Sequence, residues 1–102
     1  MCSNMKARLL VDRRITMTAT VFAELVLWRL PEATPERTRE YKYRLALVAR
    51  GVCVLRYDNE AGKGDHVHIG DAERAYEFRG VDQLIADFLA DAKEWLDANR
   101  DA

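Results

Sequence analysis

A chain of 102 residues has room for one modest hydrophobic core, so residues 1–102 are expected to form a single domain. Hydrophobic residues make up 49% and charged residues 32%, but no apolar run approaches the ~20 residues of a membrane-spanning helix, which excludes the membrane class. The net charge of −1 conceals opposite halves: residues 1–56 sum to +6 and residues 57–102 to −7. A basic half of this kind suits RNA phosphates, and it equally suits strand positions paired with an acidic helix.

The start, Met1-Cys2-Ser3-Asn4-Met5-Lys6-Ala7-Arg8, lacks the apolar core of a signal peptide, so a cytoplasmic location is expected and Cys2 and Cys53 are expected to be free thiols. Lys6 to Asp12, centred on Leu9, Leu10 and Val11, predicts a first strand. Val21 to Leu30 predicts a second, with Phe22, Val26, Trp28 and Leu30 on one face; its β-branched and aromatic content and the Leu30-Pro31 stop favour strand over helix. Pro31 to Arg39 reads as a loop.

Tyr41 to Val48 alternates so that Tyr41, Tyr43, Leu45 and Leu47 share one face and Lys42 and Arg44 the other. Arg50-Gly51 supplies a turn, and Val52 to Tyr57 returns as the antiparallel partner. Tyrosines at strand period serve packing more often than base stacking. Beyond Gly70-Asp71, Arg74 to Phe78 predicts a last strand, and Gly80 breaks it. The helix follows from Val81 to about Ala98: Val81, Leu84, Ile85, Phe88, Leu89, Ala92, Trp95 and Leu96 make one apolar stripe, with Asp82, Asp87, Asp91, Glu94 and Asp97 on the wet side. Trp95 lies seven residues beyond Phe88, so both are expected to be buried, and Trp95→Ala to cost about 3–5 kcal/mol. The expected fold is α+β: an antiparallel sheet of about five strands with one long C-terminal helix packed on one face.

The densest chemistry lies between the fourth and last predicted strands. Asp58 to Gly70 holds both histidines, His66 and His68, three of the five glycines, and Lys63 between Gly62 and Gly64. It is longer than a hairpin connection requires, and it reads as an exposed loop. In extended backbone His66 and His68 project from one face, and two neighbouring imidazoles can divide acid and base roles in a proton transfer. That is the equipment of a metal-independent ribonuclease, with Lys63 or Arg56 as the cation that stabilises the crowded phosphate and Asp58 orienting a histidine.

A second reading makes His-x-His, with Asp58 or Asp65, part of a zinc or manganese site in a hydrolase. Its remaining ligands would all have to be carboxylates, so neither a metal nor another cofactor is expected. A third reading leaves a solvated hairpin, or a noncatalytic module that binds protein or nucleic acid. Lys63 does not make a P-loop, because Gly64, Asp65 and an extended His-Val-His follow it in place of Ser or Thr and a helix.

The string Arg56-Tyr57-Asp58-Asn59-Glu60 with Gly62-Lys63-Gly64-Asp65-His66-Val67-His68, together with Tyr76, Phe78 and a helix rich in Leu, Asp, Phe and Trp, resembles the TumE family of bacterial toxin-antitoxin toxins. The likeness extends from Leu9-Leu10 through Leu27-Trp28 and Tyr41-Lys42-Tyr43-Arg44 to Trp95. The resemblance implies a small cytosolic toxin that acts as a ribonuclease and is inhibited by a cognate antitoxin. RNA as substrate and a second copy of the chain as a further partner complete the expectation. The roles given to His66, His68, Lys63, Asp58 and Arg56 rest on side-chain chemistry.

Overall fold

The computed structural model describes residues 7–31, 41–60 and 64–99. Cys2, Lys63 and most of the loop expected from Pro31 to Arg39 fall outside them. Among the described residues six strands, β1 (Arg8–Thr16), β2 (Val21–Arg29), β3 (Tyr41–Ala49), β4 (Val52–Glu60), β5 (Gly64–Ile69) and β6 (Ala72–Ala75), are followed by one helix, α1 (Val81–Ala98). Every strand pairs antiparallel with its neighbour in sequence, giving the order β1-β2-β3-β4-β5-β6. The expected α+β fold is therefore present, with one strand more than about five. The additional strand is β5, cut from the stretch that composition had marked as loop.

Alternation decides which face each side chain joins. Val21, Ala23, Leu25 and Leu27 of β2 stand opposite Ala49, Leu47, Leu45 and Tyr43 of β3. With Leu55 and Tyr57 of β4 and Val67 of β5 they form the buried face of the sheet. The helix lays Leu84, Phe88 and Ala92 on it, each fully enclosed and each one turn further along. The alternate residues, among them Phe22, Val26 and Trp28, share a face as expected, but it is the one turned away from the helix.

Local chemistry explains the turns. Arg50 and Gly51 both have positive φ, 52° and 81°, the conformation that lets a two-residue hairpin follow the strand twist. The β3–β4 ladder slips by one residue between Leu47 and Val48, which leaves Val54 without a partner on β3 and turns Cys53 to solvent. Cys53 is thus an exposed strand residue.

Three expectations for the C-terminal third are corrected. The last strand ends at Ala75, because Tyr76 and Phe78 leave the sheet to pack on its tyrosines: Tyr76 lies 5.0 Å from Tyr57, and Phe78 lies 5.8 Å from both Tyr41 and Tyr43 between ring centroids. Asp87 and Asp91 do not face water only. The Tyr57 hydroxyl donates to Asp91, and the Tyr76 hydroxyl donates to Asp87 at 2.6 Å. Burial and these carboxylate neighbours push both phenols above their usual range, while the bonds from Tyr76 and Gln83 hold Asp87 below the usual carboxylate value. Trp95 is only partly buried, at the rim of a groove of about 470 Å³ between the helix end and Thr18, Thr20, Ala49 and Arg50.

Candidate functional site

The β4–β5 hairpin sorts its residues by parity. Arg56, Asp58, His66 and His68 point to the open face, and Tyr57, Asn59, Asp65 and Val67 toward the helix. The register sets Arg56 opposite His68 and Asp58 opposite His66, so four of the residues singled out from sequence occupy one square of neighbouring positions. Lys63, the fifth, lies outside the described residues.

Asp58 to Gly70 is therefore a hairpin rather than an exposed loop. Its polar residues can occupy strands because each alternate one has a defined place. Asp65 is 5% exposed and accepts a hydrogen bond from the Tyr43 hydroxyl. Asn59 takes over where the β3–β4 ladder ends at Asp58: its Oδ1 accepts from the Tyr43 N–H at 3.0 Å, and its Nδ2 donates to the Tyr41 carbonyl at 2.8 Å. The Tyr76 N–H then donates to the Asp65 carbonyl at 3.0 Å, which extends the hydrogen bonding of β5 beyond β6.

On the open face the imidazoles of His66 and His68 have centroids 6.2 Å apart and planes tilted by 35°. Both are partly exposed, at 22% and 29% of the side chain. The Nδ1–H of His66 donates to the Gly64 carbonyl at 3.0 Å, and this leaves Nε2 with the lone pair in the neutral ring. His68 Nε2 lies 3.8 Å from Asp58 Oδ1, and Asp58 Oδ2 in turn lies 3.0 Å from Arg56 Nε. Arg56 Nε–H is buried and does not point along that vector, so the contact is an ion pair without an aligned hydrogen bond.

Glu73 completes the group. It stands opposite His68 on β6, and its Oε2 is 3.5 Å from His66 Nε2 and 3.9 Å from His68 Nε2. Counting back across the Gly70-Asp71 turn was the signal that could have found it. Arg44 is the other open-face neighbour that sequence reasoning left aside; it stands opposite Asp58 on β3.

The metal reading loses one ligand outright, since Asp65 sits on the helix side and cannot meet the imidazoles. Among the described residues no three His, Cys, Asp or Glu side chains converge as a metal site. The base-stacking role weighed for Tyr41, Tyr43 and Tyr57 gives way to packing: Tyr43 and Tyr57 are 2% exposed, and Tyr41 is partly covered by Phe78. No helix among the described residues is long and apolar enough to cross a membrane.

The model of the family described as Toxin TumE matches residues 6–96, from the residues leading into β1 to Leu96 of the helix. The chain belongs to the TumE toxin family. Neither the curated proteins nor the solved structures yielded a match. Membership in this family agrees with the resemblance carried by the Asp-Asn-x-x-Gly-Lys-Gly-Asp-His-x-His string, and a toxin family suggests an antitoxin as partner. Within the TumE string the hairpin separates two kinds of residue: Asn59 and Asp65 tie the sheet together, and Asp58, His66 and His68 face outward.

Proposed function

We propose that this TumE-family chain is the toxin of a type II toxin-antitoxin pair, acting in the cytoplasm as a metal-independent ribonuclease and restrained by a cognate antitoxin. The observation that supports the chemistry is the pair of partly exposed imidazoles side by side on the sheet face, with Arg56 and Asp58 directly across the ladder. In this reading His66, whose Nδ1–H is engaged by Gly64, uses Nε2 as base and takes the proton of a ribose 2′-hydroxyl. The freed oxygen attacks the adjacent phosphorus, the bond to the 5′-oxygen breaks, and protonated His68 supplies the proton that oxygen needs to leave. Arg56 stabilises the negative charge gathered on the phosphate, and Asp58 keeps both Arg56 and His68 in place. Lys63 joins Arg56 as a cation for the phosphate. Glu73 Oε2, close to both ring nitrogens, has to swing aside for the substrate, which its half-exposed position on a short edge strand permits.

The test is cleavage of single-stranded RNA by purified protein freed of its antitoxin. His66→Ala and His68→Ala should each lower the rate by roughly 10²-fold or more, with the fold intact by circular dichroism. The rate should trace a bell against pH, because one ring must be neutral and the other charged. Chelator should leave the rate unchanged, products should end in a 2′,3′-cyclic phosphate, and 2′-deoxy substitution at the cleaved position should block the reaction. Parent-rate cleavage by the double variant, or growth arrest by a parent protein that cleaves no RNA, would end this reading.

A further inference from the structure

The face that carries His66 and His68 continues across the sheet, on the side turned away from the helix. Trp28 of β2 stands opposite Leu9 of β1 and Lys42 of β3, with Val26 and Arg44 as the next pair along the same two strands. Arg44 in turn stands opposite Asp58, and Asp58 opposite His66. One unbroken surface therefore runs from an indole, past two cations, to the imidazoles. At ~4.8 Å between strands, Trp28 lies three strands from His66, or roughly 14 Å across the sheet.

Two features of this strip ask for a ligand. Trp28 is 36% exposed, and among the described residues no ring or cation is stacked on its indole, whereas Phe22 on the same strand is already capped by the Arg14 guanidinium at 3.8 Å. Lys42 and Arg44 are exposed and have no ion-pair partner among the described residues. Of the acids on this face, Asp58 is paired with Arg56, Glu24 stands opposite Arg14, Asp12 lies out on the edge strand β1, and Glu73 lies beside the imidazoles at the other end.

We infer that Trp28, Lys42 and Arg44 form a track for single-stranded RNA, in which Trp28 stacks on a base and the two cations hold the phosphates that lead to His66 and His68. The inference rests on the ribonuclease reading for the direction of the track, since it places the scissile phosphate at the imidazoles. Single strands are specified because an indole can stack only on a base free of its own helix, and a duplex keeps its bases inside. Every base has a face to offer, so the contact selects strandedness and position along the chain more than base identity. Trp28 acts here as a positioning residue a few nucleotides away from the reacting bond.

The experiment uses the full chain with Trp95→Phe, which leaves Trp28 as the only indole. Titration with a single-stranded oligonucleotide carrying 2′-O-methyl groups throughout, and hence uncleavable by 2′-hydroxyl attack, should quench its fluorescence to saturation. A duplex of the same sequence should quench far less. In the parent background Trp28→Ala should weaken binding of the single strand by roughly 5- to 100-fold, the scale of one stacked base, and Trp28→Phe should restore most of it. Lys42→Ala and Arg44→Ala should each reduce the slope of log affinity against log salt by about 0.7. In cleavage assays Trp28→Ala should raise KM for a long single strand while leaving kcat, and the cleavage of a dinucleotide too short to reach Trp28, at parent values.

Quenching without any cleavage by the parent keeps the track and removes the ribonuclease reading. Cleavage that is lost in His66→Ala but unchanged in KM for Trp28→Ala keeps the ribonuclease and removes the track. A Trp28→Ala protein with parent-like RNA binding and lost antitoxin binding overturns the proposal as well, because the strip is then a protein-binding surface.

Discussion

Replacing Phe88 and Trp95 in turn tests how the helix is docked, because one stripe places them seven residues apart while the fold gives them unequal surroundings. Phe88 is fully enclosed, with its ring edge-on to Tyr57 at 5.6 Å and 89°. Phe88→Ala thus removes a whole buried ring and leaves a void between helix and sheet that the backbone cannot close, a combination that costs about 3–5 kcal/mol. Trp95 lines an open groove, so water can fill the space it vacates. Only the transfer of its covered surface is lost, about 2 kcal/mol on the scale of about 1.5–3 for burying a large apolar side chain. A domain of this size holds about 5–15 kcal/mol in total, so both changes are measurable, with Trp95→Ala taking about half the share that Phe88→Ala takes. In urea, with a slope of about 2 kcal/mol per molar, the midpoints should fall by about 2 M for Phe88→Ala and about 1 M for Trp95→Ala, with the slope itself unchanged. Equal losses, or a larger loss for Trp95, would show that the helix end is clamped and the groove closed in solution.

Asp65→Asn leaves the Tyr43 hydroxyl a neutral acceptor in place of a charged one within a buried contact, so it should lower the urea midpoint by an amount equivalent to about 1–3 kcal/mol; unchanged stability would show that the Tyr43–Asp65 contact is dispensable. The phenols of Tyr57 and Tyr76 are raised above the ordinary value of 10.0, so the stability they confer is complete below about pH 10 and is lost as pH rises past it. Alkaline unfolding should weaken in Tyr57→Phe relative to its own stability at pH 7, as followed by denaturant midpoints from pH 7 to 11. Asp87 has the opposite sign: depressed below 3.8, it contributes stability that is present above that value and fades as pH falls through its folded value, so Asp87→Asn should flatten the acid limb of the stability profile.

Much of the fold was legible because its strands obey the simplest rule. Tyr41 to Leu45 alternates apolar with charged, and the structure keeps Tyr43, Leu45 and Leu47 buried and Lys42 and Arg44 exposed; Ala46, apolar on the charged side, is the exception and is buried as well. The helix likewise showed its enclosed residues by their spacing of four. What composition concealed was β5, because glycine, aspartate and histidine are poor strand formers in isolation and their pairing energy comes from partners distant in sequence. Asp65 is acceptable in a strand only because Tyr43, 22 residues earlier, brings a hydroxyl to it. The acidic residues of the helix misled for the same reason. Asp87 and Asp91 look like solvent positions until Tyr57 and Tyr76 are known to stand beneath them. In each case the deciding partner lies on another element, where local periodicity carries no information.

The same argument gives the histidine-bearing string its meaning. A loop would leave its polar residues equivalent, each available to a ligand, and any of Asp58, Asn59, Asp65, His66 and His68 could then belong to one site. A strand forbids that, because adjacent residues must part to opposite faces. Asn59 and Asp65 are consequently committed to Tyr41 and Tyr43 on the helix side, and only the even-numbered members can share a substrate. A one-residue slip of β5 would bury both imidazoles and expel Asp65, so the bond that Asp65 makes with Tyr43 also fixes the register that presents His66 and His68 to solvent. Stability and chemistry in this stretch are carried by alternate residues of the same two strands, and a change at one parity should be felt first in unfolding, a change at the other first in activity.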